Sequence, residues 1–300
     1  MKNEPLVSII MNCYNGEEYL REAIDSVINQ TYKNWELIFW DNKSTDRSAS
    51  IFKEHKDKRL KYYLASSHEN ILYKARNYAL EKAKGNFIAF LDVDDWWYID
   101  KLEKQIPLFE DSEVGLVYGN LWWVFEKKNR KKLLKKKFLP TGMILSKLLN
   151  ENVIGSPTYV IRRKSLENLE YFFDDRFHII GDYDLHVRLA TKWKFNCIQD
   201  PVAYARIHGK NESLLNKNKE IQEMKIWYNK MKENEIITSK KELNKIHLQI
   251  LYLETMEAIL RNELKNSLFM VTRYPFCFNK IKLIIALFLP NFVLKKMKDY

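Results

Sequence analysis

Three hundred residues, 46% of them hydrophobic, with a net charge of +11 and a pI near 9.2, suffice for a sizeable core and exclude a disordered chain. The three cysteines, Cys13, Cys197 and Cys277, lie far apart without C-x-x-C spacing, which excludes a disulfide framework and a zinc site. The positive excess calls for an anionic partner, whether nucleic acid, acidic lipid or a phosphorylated substrate.

The N-terminal MKNEPLVSII enters a strand without an apolar leader or small-residue cleavage site, which predicts a cytoplasmic protein. Leu6 to Met11 reads as that strand, Asn15 and Gly16 as a turn, and Leu20, Ala23, Ile24, Val27 and Ile28 as one face of a helix. Trp35 to Trp40, Leu60 to Leu64 and Phe87 to Leu91 supply further strands. A helix over Tyr73 to Lys84 precedes the last of them, with Gly85 as its C-terminal stop. This alternation predicts βα units around a mostly parallel sheet. The pattern then changes to strands at Val114 to Tyr118 and Leu121 to Phe125, a lysine-rich stretch from Lys127 to Lys137, and a Pro140-Thr141-Gly142 turn. Thr158 to Arg162 reads as a strand, Asp182 to Trp193 as a helix with Leu185, Leu189 and Trp193 on one face, and Pro201 to Ile207 as extended. From about Asn211 the chain is helical and rich in Lys and Glu. Residues 1–210 therefore form an α/β domain, in two halves of 1–119 and 120–210, and 211–300 a basic helical appendage.

Five polar clusters punctuate this pattern. The run FIAFLDVDD ends in Asp92, Asp94 and Asp95, a hard, oxygen-rich group suited to Mg²⁺ or Mn²⁺ at a strand end, where α/β sheets bind ligands. Asp95 is alternatively the N-cap of a helix over Trp97 to Phe109. Asn12-Cys13-Tyr14-Asn15 offers polar and aromatic groups to a nucleoside ring and ribose, or forms a turn and cap. Asp41-Asn42-Lys43-Ser44-Thr45-Asp46 offers acceptors to a base N–H, or forms a capping loop. Arg76 pairs with a diphosphate or with a surface carboxylate. Gly181-Asp182-Tyr183-Asp184, followed by Arg206 and His208, places Asp182 as a helix cap or as an acid–base group. Each cluster alone has a structural explanation; their joint occurrence at the ends of one sheet points to a metal-bound nucleotide.

With these residues in view, the chain resembles the family 2 glycosyltransferases, inverting nucleotide-sugar enzymes of the GT-A fold. The resemblance runs from Pro5 to Ser213 and rests on Val7 to Asp46, Ala75 to Asp95, Gly181 to Ala190 and Tyr204 to Ser213. It implies a GT-A sheet flanked by helices, with 1–119 as the nucleotide-sugar half and 120–210 as the acceptor half. It sets Asp41 and Asn42 against the base and Arg76 at the base or diphosphate, beside the Asn12 and Tyr14 that the residues themselves offer to a ring and ribose. Asp92-Val93-Asp94 becomes the DXD metal motif with Asp95 beside it, His208 a histidine near the diphosphate or metal, and Asp182 the general base. Two departures stand out. The family's Asp-Asp-Gly-Ser loop is here Asp41-Asn42-Lys43-Ser44, and its acidic pair before the last helix is Gly181-Asp182.

The implied reaction moves a hexosyl or N-acetylhexosaminyl group from a nucleotide diphosphate, normally UDP, onto a hydroxyl of a glycan or lipid-linked acceptor in cell-envelope polysaccharide synthesis. Asp182 takes the proton, with Asp184 raising its pKa or capping the helix, while Mn²⁺ or Mg²⁺ steadies the leaving diphosphate. Apolar residues from Ile281 through Leu294, broken by Pro290 and flanked by lysines from Lys280 to Lys298, fall short of the ~20 needed to cross a bilayer. They form either a core helix or an interfacial segment on an anionic surface, which would place the enzyme peripherally on the cytoplasmic face of the inner membrane. The alternatives are a metal-dependent nucleotidyltransferase and a non-catalytic nucleotide- or nucleic-acid-binding protein. The chain lacks a Gly-rich triphosphate loop and any nucleic-acid-binding motif, so no nucleic-acid partner is expected.

Overall fold

In the computed structural model, which describes residues 4–291 and 293–294, the chain divides into two compact units, 1–215 and 216–300. The first unit is α/β. Strands β1 (Val7–Cys13), β2 (Trp35–Asp41), β3 (Leu60–Leu64) and β4 (Phe87–Phe90) run parallel in the order β3-β2-β1-β4. β1 and β2 are nearly continuous apolar runs because both sheet faces are covered. β3 lies at the edge and is half-buried, with Lys61 on it, as an edge strand tolerates. Helices α1 (Leu20–Ile28), α2 (Ser48–Glu54) and α3 (Leu72–Leu80) make the connections. α1 buries Leu20, Ala23, Ile24 and Val27, the face its spacing predicts.

The second half of the sheet is mixed. Strand β5 (Trp96–Trp97) and the short helix α4 (Lys101–Gln105), extended by a tighter turn over Ile106–Phe109, replace the single helix predicted from Trp97. Val114–Phe125 forms one twelve-residue strand, β6, rather than two. The register slips at Gly119 and Asn120, which accounts for the apparent break. Strand β7 (Arg130–Leu133) hairpins onto β6. After α5 (Leu145–Asn150) comes β8 (Val160–Arg162), antiparallel between β4 and β6. Helices α6 (Arg163–Leu166) and α7 (Gly181–Ala190) precede β9 (Lys194–Ile207), which runs parallel to β6, and α8 (Glu212–Leu215) follows. Trp193 lies beyond α7 and packs on Gly115 instead of extending the helical face.

Gly85 is a second correction. α3 ends at Leu80, and Gly85 does not stop it. A Cβ at Gly85 would sit 2.5 Å from Ser8 N and 2.6 Å from Leu6 O, so glycine is needed where this backbone meets β1. Its N–H donates to Ser8 Oγ at 2.7 Å, which donates in turn to buried Glu36 at 2.6 Å; Lys61 also pairs with Glu36. This network ties β1, β2 and β3 together.

The second unit is helical: α9 (Lys217–Glu233), α10 (Lys240–Leu260), α11 (Leu264–Arg273) and α12 (Phe278–Phe288). Ser239 caps α10, its hydroxyl accepting from Glu242 N–H at 3.3 Å. Ile259, Val271, Tyr274, Leu283 and Ala286 build a core of its own among α10, α11 and α12. No helix among the described residues is long and apolar enough to cross a membrane. The segment read as an apolar tail lies partly outside the described residues, at Phe292 and from Lys295 onward.

Candidate active site

The carboxyl ends of β2, β1 and β4 lie side by side, and the loops leaving them are tied to one another. Asn15 takes a left-handed backbone, φ 52°, turning the chain into α1. The three N–H groups of this turn are then satisfied from the loop after β2 and the first residue of α2. Asn15, Gly16 and Glu17 donate to Ser44 Oγ (3.1 Å), Ser48 Oγ (2.9 Å) and Asp46 Oδ2 (2.9 Å). The Asp41-to-Asp46 cluster thus caps the neighbouring loop. Asp41 is buried, accepting from Ser44 N–H at 2.7 Å and from the Tyr62 hydroxyl at 2.5 Å. Asn42 pairs its amide with the Glu69 backbone, accepting at 2.9 Å and donating at 2.7 Å. Beside them Tyr14, half exposed, has its ring 4.2 Å from that of His68, while Asn12 at the end of β1 keeps both amide atoms buried without a partner among the described residues.

Lys43 stands where the family motif has glycine, and its φ of 66° is the left-handed conformation that favours glycine. A side chain there costs about 1 kcal/mol. Lys43→Gly is therefore expected to raise the melting temperature by roughly 2–4 °C, readable by calorimetry, without altering the surrounding hydrogen bonds. No change or a fall would mean that the Lys43 side chain supplies a compensating contact.

Deeper in, Arg76 on α3 is almost fully buried, pairing through Nη2 with Asp92 Oδ1. Its guanidinium lies over Tyr73, 5.0 Å from the ring centroid, and its Nη1 has no acceptor among the described residues. Asp92 completes its own shell with the Ser156 hydroxyl at 3.3 Å. Burial would depress the Arg76 pKa, but Asp92 and its other anionic neighbours outweigh this, and the net shift is upward.

Asp182 is the second residue of α7 and does not cap it; Ile180 holds the cap position. One carboxylate oxygen accepts from Tyr183 N–H at 2.7 Å, and Tyr73, whose hydroxyl donates to Ile179 O at 3.5 Å, lies beside the group. The side chain retains some solvent contact although protein surrounds it closely. Burial raises its pKa above the ordinary carboxylate range, against the downward pull of Arg76. Asp184 takes neither role foreseen for it. It is fully buried and paired with Arg188 one turn on, whose guanidinium also holds Tyr171 O (3.0 Å) and Phe172 O (2.6 Å). Its charge is therefore neutralised locally, and the carboxylate acting on Asp182 is Asp92. Gly181 has a reason of its own. A Cβ there would lie 2.4 Å from the Tyr73 ring, so the ring occupies the space that the family's first acid would need.

Asp94 and Asp95 part company. Asp95 is buried and accepts from Arg206 N–H at 2.9 Å, fastening the loop to β9 rather than starting a helix. Burial first, then Asp94 and Asp92, push its carboxyl well above the ordinary range. Asp94 stays partly open, with Oδ2 3.0 Å from His208 Nε2 and 3.3 Å from Asn211 Nδ2. Arg206 binds the assembly together through Asp94 O (3.0 Å), Glu126 (2.8 Å) and Glu22, stacked between Tyr19 and Trp96. Among the described residues no three Asp, Glu, His or Cys side chains gather into a metal cage by themselves.

The structure thus brings Arg76, Asp92 and Asp182 into one group and Asp94, Asp95 and His208 into another, with Asn12, Tyr14, Asp41 and Asn42 at the neighbouring strand ends. Sequence reasoning missed Tyr73, Ser156, Glu126 and Asn211. Only Asp184–Arg188 carried a local signal, an acid and a base four residues apart on a helix.

The family pattern described as "Glycosyl transferase family 2" matches residues 8–170. A UDP-Glc:alpha-D-GlcNAc-diphosphoundecaprenol beta-1,3-glucosyltransferase of Escherichia coli, WfgD, is 39% identical over 168 residues, covering 56% of this chain and 64% of that protein. The uncharacterized glycosyltransferase MJ1057 of Methanocaldococcus jannaschii is 30% identical over 217 residues, 71% and 74% of the two chains. The chain thus spans slightly less than two thirds of the length of WfgD. Among solved structures, S. aureus TarS 1-349 with UDP-GlcNAc superposes with a TM-score of 0.65 at 19% identity, over 90% of this chain and 81% of that one. The mannosyltransferase PcManGT from Pyrobaculum calidifontis, in complex with GDP-Man and Mn2+, gives 0.64 at 17% identity over 100% and 85%. At these identities the likeness shows the fold.

Proposed function

This chain belongs to glycosyl transferase family 2, and from that premise we propose that it transfers a hexosyl group, with inversion, from a UDP-sugar to a hydroxyl of a saccharide carried on a membrane lipid diphosphate. The observation that carries the reading is the pairing of two groups at one site. Asp182 is a carboxylate held above its ordinary pKa, and Arg76 is a buried cation with one nitrogen uncommitted among the described residues. The first suits a proton acceptor and the second a diphosphate. The UDP-glucose donor and diphosphoundecaprenol-linked acceptor in the name of WfgD support the substrate classes.

In this reading Asp182 accepts the proton as the acceptor oxygen attacks the anomeric carbon and the nucleoside diphosphate departs from the opposite face. Burial serves the step, because a carboxylate with a raised pKa is a stronger base. The Tyr183 N–H, donating at 2.7 Å, fixes its orientation. Arg76 directs its free N–H toward the diphosphate, and Asp92 and Ser156 keep the guanidinium in place. Tyr14 and His68 offer ring faces to the nucleoside, and Asn12 its uncommitted amide. Asp41 and Asn42 shape this end mainly by holding their loops, with their remaining acceptor capacity turned to the base.

The donor set fits a divalent cation. Mg²⁺ and similar ions commonly need only one or two carboxylates beside substrate phosphates and water. Asp94 and His208 would hold it, with Asp92 next to them. When bound, the ion supplies Lewis-acid stabilisation of the leaving diphosphate. Calorimetric titration of UDP is the test: binding with Mn²⁺ is expected, with at least ~10-fold weaker binding in EDTA and for Asp94→Ala. Failure of UDP to bind under either condition would overturn the donor assignment.

A further inference from the structure

The helical second unit carries an apolar face that its own core does not use. On α12, Leu283 and Ala286 turn inward. Phe278, Ile281, Ile285 and Phe288 recur at steps of three, four and three on the opposite side, and all four are exposed, Phe288 at 83%. A surface helix ordinarily places polar residues there. Phe276, 85% exposed, continues the face into the connection with α11, and Phe269 adds to it from α11 itself.

Charge decides what covers this face. From Leu264 to Leu289 the chain has no Asp or Glu, and it carries Lys265, Arg273, Lys280 and Lys282. Two of these cations lie over exposed aromatics of the same face: Arg273 over Phe269 at 4.1 Å and Lys282 over Phe278 at 4.7 Å. Lys280 is directed inward, donating to Thr272 O and Tyr274 O, and pins α12 to the end of α11. An apolar stripe on a segment that carries cations and no carboxylate complements a phospholipid surface, with aliphatic interior below and anionic headgroups at the rim. A protein partner would have to match large exposed aromatics and the cations lying over them together.

We propose that α11, α12 and the Phe276 turn form a docking face for an anionic membrane surface, lying in the headgroup region without crossing it. This deepens the reading above, because a lipid-linked acceptor is met at that surface, but it stands on the second unit alone. The experiment is co-sedimentation of the full chain with phosphatidylcholine vesicles and with mixed phosphatidylcholine–phosphatidylglycerol vesicles, at low and high salt. Binding to the mixed vesicles is expected, weakened by salt. Phe276→Glu with Phe288→Glu should reduce it by at least ~10-fold, and Lys265→Gln with Lys282→Gln should remove the preference for the anionic lipid. Helical circular dichroism and UDP affinity, read in parallel, should not change, which separates this proposal from the fate of the donor site. No binding to either vesicle would overturn it. So would a stable dimer in sedimentation velocity that the Phe variants convert to monomer, since the face would then belong to a second copy.

Discussion

Asp182→Asn is expected to lower turnover by at least ~100-fold while leaving UDP affinity within about twofold, the ordinary size of a lost general base. The substitution preserves shape and the acceptor for Tyr183 N–H and removes only the basicity. Stability should move the other way. Folding raises the Asp182 pKa through burial, so the native chain holds that proton more tightly than the unfolded chain. The contribution favours folding at low pH and is lost as pH rises through the raised pKa, leaving a buried charge at neutral pH. Asp182→Asn should thus melt no lower than the parent at pH 7 and lose part of the parent's pH dependence. A large fall in UDP affinity would make Asp182 a binding group, and full turnover would remove it from the mechanism.

Arg76→Gln tests the other half of the site through two readouts. A charge-assisted hydrogen bond to a diphosphate contributes about 1.5–3 kcal/mol, so UDP should bind roughly 10- to 150-fold more weakly. The positive neighbour that pulls Asp182 down would also be gone, so the Asp182 pKa should rise further and the acidic limb of the turnover profile should move to higher pH. A merely structural Arg76 would not move that limb. Asp92 keeps about a third of its surface in water (32%) and can rehydrate, so the stability loss should stay below the ~3–5 kcal/mol of a fully buried broken pair. Arg76→Lys should recover the pH limb more than the affinity, because an ammonium restores charge without the planar fork. Unchanged affinity together with an unchanged limb would reduce Arg76 to a packing residue.

Much of the first half of the fold was legible because it is written locally. Parallel strands buried on both faces read as apolar runs, and α1 shows its face at helical spacing. The second half was less legible. β8 is three residues long, and nothing in Val160-Ile161-Arg162 says that it enters antiparallel between β4 and β6. At the site the acidic residues announced themselves by type and position, whereas their partners did not. Ser156 meets Asp92 across 64 residues and Asn211 meets Asp94 across 117, separations at which no periodicity carries information. Gly85 was misread for a related reason: a glycine near a helix end and a glycine under a neighbouring strand look alike until the strand is placed. The Asp41 loop could be read two ways. The capping bonds are made, and they hold the loop after β2 against the turn after β1.

The hub at Arg206 bears on the order in which the site can mature. The four parallel strands are complete by Phe90, and Asp94 and Asp95 follow within five residues. Yet the loop that bears them is fastened by groups that arrive more than a hundred positions later: Arg206 to Asp95 spans 111 residues, His208 to Asp94 114, and Arg206 back to Glu22 184. A chain emerging from the ribosome would thus possess its four parallel strands well before the acidic loop had its anchors. Closing so long a contact carries an entropic cost that only the finished β6–β9 ladder repays. The acidic loop is accordingly expected to be among the last parts of the first unit to settle, and a chain interrupted before Arg206 would lack the contacts that hold Asp94 and Asp95 apart.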